Sequence, residues 1–194
     1  MAAVRVLAIA SSPRRGGNSE TMLDAAVEGA RSAGAAVEKV ALRDLGFHPC
    51  LNCGGCDRTC RCVQDDGYTG LNERIRAADR LLLATPIFFG SMCSQLKCLV
   101  DRGQPFWVEK YVHKRPPEPR ERERRAVLLA CGGFARGGKF LANAEQIVRT
   151  YALCLGMRYA GSVFRPGVDE KGAIIGHPEA LERCRTAGAE LAGP

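Results

Sequence analysis

The sequence predicts an α/β fold: an open, five-stranded parallel sheet with helices on both faces, plus a cysteine-rich loop after the second strand. Three observations lead there. Short apolar runs alternate five times with stretches of helical periodicity. The first of them, residues 4–10, is a short continuous apolar run, as in a parallel strand covered on both faces. The turns after the first, third and fourth runs are rich in Gly, Ser and Pro, at the carboxyl edge of the sheet where such folds bind ligands.

Residues 4–10 are the first strand, and the turn Ser11-Ser12-Pro13-Arg14-Arg15-Gly16-Gly17-Asn18-Ser19 follows. Met22, Leu23, Ala26, Val27 and Ala30 recur at helical spacing up to Gly34, and Asn18 or Ser19 can cap that helix. Residues 37–42 read as the second strand, residues 48–66 as the cysteine loop and residues 71–78 as a helix that Asp65-Asp66 can cap. Residues 81–84 are the third strand, ending in the loop Thr85-Pro86-Ile87-Phe88-Phe89-Gly90-Ser91. Leu96, Leu99 and Val100 mark one side of a helix over residues 92–102. Residues 104–125, with four prolines and seven Lys/Arg against four Glu, read as a basic, linker-like excursion. The fourth strand, residues 126–130, runs into Cys131-Gly132-Gly133, and a helix over 140–155, a strand over 158–163 and a helix over 179–191 complete the chain. No internal repeat interrupts this order, so one domain over residues 1–194 is expected.

Composition narrows the function. Apolar residues make up 46% and charged residues 25%, which is globular and not disordered. No apolar run approaches the ~20 residues that cross a bilayer. Arg5 inside the first apolar stretch argues for a strand and against a secretory signal. The net charge is +7, but the excess is partly local and mixed in sign, so neither nucleic acid nor membrane is an expected partner.

Five of ten cysteines, Cys50, Cys53, Cys56, Cys60 and Cys62, fall within thirteen residues. A disulfide framework would spread through the chain; this cluster points to reduced thiolates on a metal, and to a cytoplasmic protein. Three thiolates at x₂ spacing suit a [4Fe–4S] cubane, with Cys60 or Cys62 as the fourth ligand. Zinc sites usually draw two distant pairs, and no second pair exists here. The turn after the first strand offers Ser11, Ser12, Arg14, Asn18 and Ser19 at a helix start, which is a phosphate site; a well-capped surface turn is the alternative. It lacks the Lys-[Ser/Thr] pair of a P-loop, and no G-x-G-x-x-G follows any strand. Pro86 to Ser91, with Phe88 and Phe89, suits a planar heterocycle, and Gly132-Gly133 lets backbone approach a ligand closely. Cys154 and Cys184 lie on apolar helix faces and read as core, and none of the three histidines has a catalytic role.

With these residues in view, the sequence resembles the NAD(P)H-dependent FMN reductase superfamily, of flavodoxin-like fold, and within it the iron–sulfur flavoprotein branch. The likeness runs through the first loop, through Pro49-Cys50-Leu51-Asn52-Cys53-Gly54-Gly55-Cys56 with Cys62, through Thr85 to Ser91 with Asp101-Arg102, and into Gly167-Val168-Asp169-Glu170-Lys171-Gly172. The resemblance implies that Ser12, Arg14, Asn18 and Ser19 hold the FMN phosphate. It implies that Pro86, Ile87, Phe88, Phe89, Gly90 and Ser91 hold the ring and ribityl chain, with Gly132 and Gly133 at the ring's far edge. It assigns the cluster to Cys50, Cys53, Cys56 and Cys62, leaving Cys60 as an extra thiol. Phe88 stands where the family usually has Tyr.

The resemblance further implies a ferredoxin-like electron donor or NAD(P)H, a small acceptor, and a homodimer or homotetramer. Two other readings are an NAD(P)H-dependent FMN or quinone reductase without a cluster, and a non-catalytic flavodoxin-like module with a zinc-stabilised loop.

Overall fold

The computed structural model describes residues 2–115 and 123–193. Residues 116–122, the centre of the expected Pro-rich excursion, lie outside the described residues. Five parallel strands, β1 (Arg5–Ala10), β2 (Ala36–Ala41), β3 (Arg80–Phe88), β5 (Arg125–Gly132) and β6 (Arg158–Pro166), form a sheet in the order β2-β1-β3-β5-β6. This is the flavodoxin-like doubly wound order, with its switch point between β1 and β3. A two-residue strand, β4 (Ser91–Met92), turns back antiparallel on the end of β3.

Side chains alternate across the sheet and divide the core in two. Leu7, Ile9, Leu81, Leu83 and Leu128 face a layer of three helices, α2 (Gly67–Ala77), α3 (Ser94–Asp101) and α5 (Gly138–Cys154). Val6, Ala8, Leu82, Val127 and Leu129 face α1 (Asn18–Ser32) and α6 (Pro178–Ala192). The two helices of that second layer touch backbone to backbone. A Cβ at Gly29 would stand 2.0 Å from the Arg185 carbonyl oxygen, and one at Gly188 would stand 1.9 Å from that of Ala26. Only glycine fits at either point of this crossing.

The structure departs from the expected elements in several places: α2 starts four residues before its expected start, at Gly67, and β6 runs three residues past its expected end, to Pro166. β3 runs on to Phe88, four residues past its expected end, because Thr85 and Pro86 still pair with Ala130 and Cys131 of β5. Proline is tolerated there because β1 has already stopped pairing, at Ala10 with Ala84. The helix expected over 92–102 begins at Ser94, since Met92 belongs to β4. Residues 104–112 are not a linker: α4 (Gln104–Trp107), with Pro105 in its first turn, continues into a π-helical turn over Val108–Val112.

Glu20, in the first turn of α1, ties the loop after β1 to the segment after β2. Its carboxylate accepts from the Gly16 N–H at 2.9 Å and from Arg43 at 3.0 Å, and pairs with Lys39 at 3.3 Å. Arg43 also donates to the Ser12 carbonyl at 3.2 Å. Burial alone pushes the Glu20 carboxyl up, but Arg43, the Gly16 N–H and Lys39 outweigh it and hold the pKa at about 2.

Gly29→Ala should destabilise by about 1–3 kcal/mol, because helix α6 must shift to admit the methyl. Gly70→Ala, exposed in α2 with only the end of Arg74 nearby, should instead stabilise by about 0.5–1 kcal/mol. Denaturant titration reads both, and equal effects would contradict the close crossing. Glu20 has a folded pKa below its ordinary 4.5, so the unfolded chain binds the extra proton. Its contribution is full above about pH 4.5 and is lost as pH falls through about 2. Glu20→Gln should therefore cost on the order of 2 kcal/mol at neutral pH and progressively less on acidification, read by melting at stepped pH.

Candidate functional site

Most residues singled out from the sequence line one of two cavities. The first, about 140 Å³, opens at the carboxyl ends of β1, β3, β5 and β6. Ser12, Arg14, Asn18 and Ser19 form one wall, Pro86, Ile87 and Phe88 a second, and Gly132 and Gly133 a third. Pro13, Gly17, Cys131, Val168 and Asp169 complete it.

The first wall is a helix start left open. No side chain caps α1; Gly17 holds the cap position, and neither Asn18 nor Ser19 caps as expected. Asn18 is instead the first residue of the helix, and its side chain fastens the loop before α6. It donates to the Glu170 carbonyl at 2.9 Å and accepts from the N–H groups of Gly172 at 3.0 Å and Ile174 at 3.3 Å. The N–H groups of the first turn of α1 therefore remain available at the cavity, with the positive end of the helix dipole behind them. Arg14 reaches across to the Asp169 carbonyl at 3.2 Å, and its own N–H is fixed by Ser12 Oγ at 3.1 Å. Ser11 does not line the cavity; wholly buried, its hydroxyl donates to the Ala84 carbonyl at 2.7 Å and ties β1 to β3.

Phe89, Gly90 and Ser91 also stand outside the cavity lining and form the hairpin above it. Phe89 and Gly90 both have positive φ, 47° and 84°, as a tight two-residue hairpin demands. Phe89 bears the conformational strain, and its ring is fully exposed. The Gly90 carbonyl accepts from Asn143 of α5 at 3.1 Å, which fixes the turn.

The second cavity, about 320 Å³, is lined by Cys50, Cys53, Cys56 and Cys62 together. Cys60 is buried outside this lining, with φ of 54° and its N–H bonded to the Cys56 carbonyl at 2.9 Å. The loop crosses itself closely here: a Cβ at Gly55 would stand 2.6 Å from Val63 Cγ1. Asn52 N–H points to the Cys50 sulfur at 3.4 Å. Burial, then Asp57, pushes the Cys56 thiol up. All ten cysteines are free, and among the described residues no three side chains converge tightly enough to hold a metal ion as they stand.

A buried ion pair closes this loop. Arg102, at the end of α3, meets Asp66 in a bidentate pair at 2.7 and 3.0 Å and donates to the His48 carbonyl at 2.8 Å. Asp66 accepts in turn from the His48 N–H at 3.1 Å and caps α2 through the Tyr68 N–H at 3.0 Å. Both ends of the loop, residue 48 and residue 66, are thus held by one pair. Burial pushes the Asp66 carboxyl up, and Arg102 with the two N–H groups more than reverses it.

Sequence reasoning missed part of each lining. Arg102, noted for resemblance alone, walls the cysteine cavity with Gln104, Pro105, Trp107 and Val108, although residues 104–125 carried no recognisable motif. The signal there was the chain's single tryptophan, Trp107. Val168 and Asp169, in a stretch noted for resemblance alone, close the first cavity.

The profile of the family described as NADPH-dependent FMN reductase matches residues 4–165. An iron–sulfur flavoprotein of Methanosarcina thermophila is 36% identical over 136 residues, which is 70% of this chain and 67% of that protein. One from Archaeoglobus fulgidus is 33% identical over 103 residues, 53% of this chain and 47% of that protein. The chain thus spans between about half and two thirds of the length of these relatives. An NAD(P)H:quinone oxidoreductase from Methanothermobacter marburgensis superposes with a TM-score of 0.74 at 22% identity, covering 100% of this chain and 99% of that one, which shows a shared fold. Taken with the three loops gathered at the switch point, these matches establish that the chain belongs to the NADPH-dependent FMN reductase family, in its iron–sulfur flavoprotein branch, and is a flavin-dependent oxidoreductase.

Proposed function

We propose that the protein carries FMN in the first cavity and one [4Fe–4S] cluster in the second. In this reading it works in the cytoplasm, between a ferredoxin-like donor or NAD(P)H and a small acceptor such as oxygen, peroxide or a quinone. The observation that carries the proposal is that Cys50, Cys53, Cys56 and Cys62 line one cavity while Cys60 stands apart from it.

The residues present fit both groups. The uncapped start of α1, Arg14 and the hydroxyls of Ser12 and Ser19 offer an anion the donors and positive potential it needs. A side chain at Gly17 would be tight, since a Cβ would meet the Arg14 carbonyl oxygen at 3.1 Å and Ser12 Oγ at 3.3 Å. Pro86, Ile87 and Phe88 give an apolar wall for a flat ring, and Gly132 and Gly133 bring backbone without side chains to the same cavity. On the other side, four soft thiols around one cavity have the donor chemistry of an iron–sulfur cluster. Bound FMN converts between one- and two-electron transfer, and a cluster supplies single electrons. The chain's own part is to hold the phosphate, to shape the ring's surroundings and to keep the thiols reduced and gathered. No G-x-G-x-x-G is present, so a nicotinamide donor would have no nucleotide site of its own and would turn over slowly.

Arg14→Ala with Ser19→Ala should weaken FMN binding to the apoprotein about tenfold to a hundredfold, from the loss of one charge-assisted hydrogen bond worth roughly 1.5–3 kcal/mol. Fluorescence titration reads it, and unchanged affinity in a folded double variant would move the phosphate elsewhere. Cys62→Ser should lower iron content or leave a three-iron cluster, while Cys60→Ser should keep wild-type iron, sulfide and reduced-state EPR. The opposite pattern would reassign the fourth ligand. Rapid NADPH oxidation by iron-free protein would favour the cluster-free reductase.

A further inference from the structure

We propose that Arg102 serves the cysteine cavity as well as the loop that frames it: its Nε–H donates a hydrogen bond to a sulfur of the metal site and raises that site's reduction potential. The inference rests on the cluster reading above and adds a residue to it.

Arg102 has no exposed side-chain surface. Its two terminal nitrogens are committed to Asp66 and the His48 carbonyl, and its guanidinium lies 4.5 Å from the centre of the Tyr68 ring. These contacts fix the plane of the group and leave one of its three nitrogens without a partner. That nitrogen, Nε, is buried with no hydrogen-bond partner among the described residues. A buried N–H left unpaired is costly, on the order of 1–3 kcal/mol. The same side chain lines the cavity that Cys50, Cys53, Cys56 and Cys62 line. Cys62 and Asp66 both act to hold the guanidinium charged against burial, so the Cys62 sulfur is among its near electrostatic partners. The unpaired Nε donor of a fixed, charged group thus belongs to a cavity walled by thiols.

Charge and hydrogen bonds to sulfur are the levers by which a protein sets a cluster's potential. Reduction adds one electron, taken from a one-electron reductant, and one negative charge; no bond is made or broken and no proton moves. A cationic N–H donor stabilises that added charge, so its loss lowers the potential.

The test uses anaerobically reconstituted full-length protein: wild type, Arg102→Gln and Arg102→Lys. Iron and sulfide are measured first, and the midpoint potential is then read by EPR-monitored titration with dithionite. Arg102→Gln should shift the one-electron equilibrium about tenfold toward the oxidised form, ~59 mV. Arg102→Lys, which keeps the charge and loses Nε, should shift the same way by less. Pulsed EPR of reduced protein labelled with ¹⁵N-arginine should show a nitrogen coupling in wild type that both variants lack. A purely structural role predicts no such coupling and a wild-type potential in either variant that loads with iron, and either result overturns the proposal. If Arg102→Gln does not fold, Arg102→Lys alone decides. Wild type that takes up no iron removes the cluster and this inference with it, and the iron assay separates that failure from an unshifted potential.

Discussion

The bidentate pair between Arg102 and Asp66 is the contact on which the site's architecture turns. The loop over residues 48–66 contains five cysteines and has little regular structure of its own. It is shaped by what holds its ends, and Asp66 and Arg102 together bond both the N–H and the carbonyl of His48. The same Asp66 starts α2, and the chain that leaves Arg102 forms the helical wall opposite the thiols. Buried ion pairs seldom add much net stability over apolar packing, but removing one partner costs about 3–5 kcal/mol. The pair is better read as specifying one closed form of the loop than as strengthening the fold.

The sheet sets where the other cavity lies. β1 stops at Ala10 while β3 continues to Phe88, and the gap that opens between them at the switch point receives the loop after β1. Ser11 stitches the two strands at that point, and Glu20 with Arg43 holds the loop from below. Arg15 pairs with Asp44 at 2.5 Å, just before the cysteine loop begins. The phosphate loop and the segment leading to the thiols are thus braced against each other by charged contacts.

The sheet order, the two helix layers and the cysteine spacing were legible because each is local. An apolar run such as residues 4–10, a helical stripe such as Met22 to Ala30, or three thiols at x₂ spacing, carries its message in neighbouring residues. What stayed hidden depends on long-range pairing. Arg102 looks like any helix-end arginine until Asp66, 36 positions away, is placed against it. Asn18 reads as a cap, but its amide bonds a loop more than 150 positions on. Residues 104–125 read as a linker because of their four prolines, and the first of these, Pro105, is well placed in the first turn of a helix. The third strand ends at Ala84 in the sequence because its apolar run stops there, and only the end of β1 beside it explains why Pro86 is allowed in β3.

The central claim is that one chain holds a flavin at the switch point and an iron–sulfur cluster in the cysteine loop. Protein purified without oxygen tests it most directly, by its absorption spectrum together with the amounts of flavin, iron and acid-labile sulfide per chain. The account predicts one FMN with four iron and four sulfide, and flavin bands riding on a broad iron–sulfur absorbance that bleaches on reduction. Flavin without iron, or a colourless protein with zinc, would contradict it.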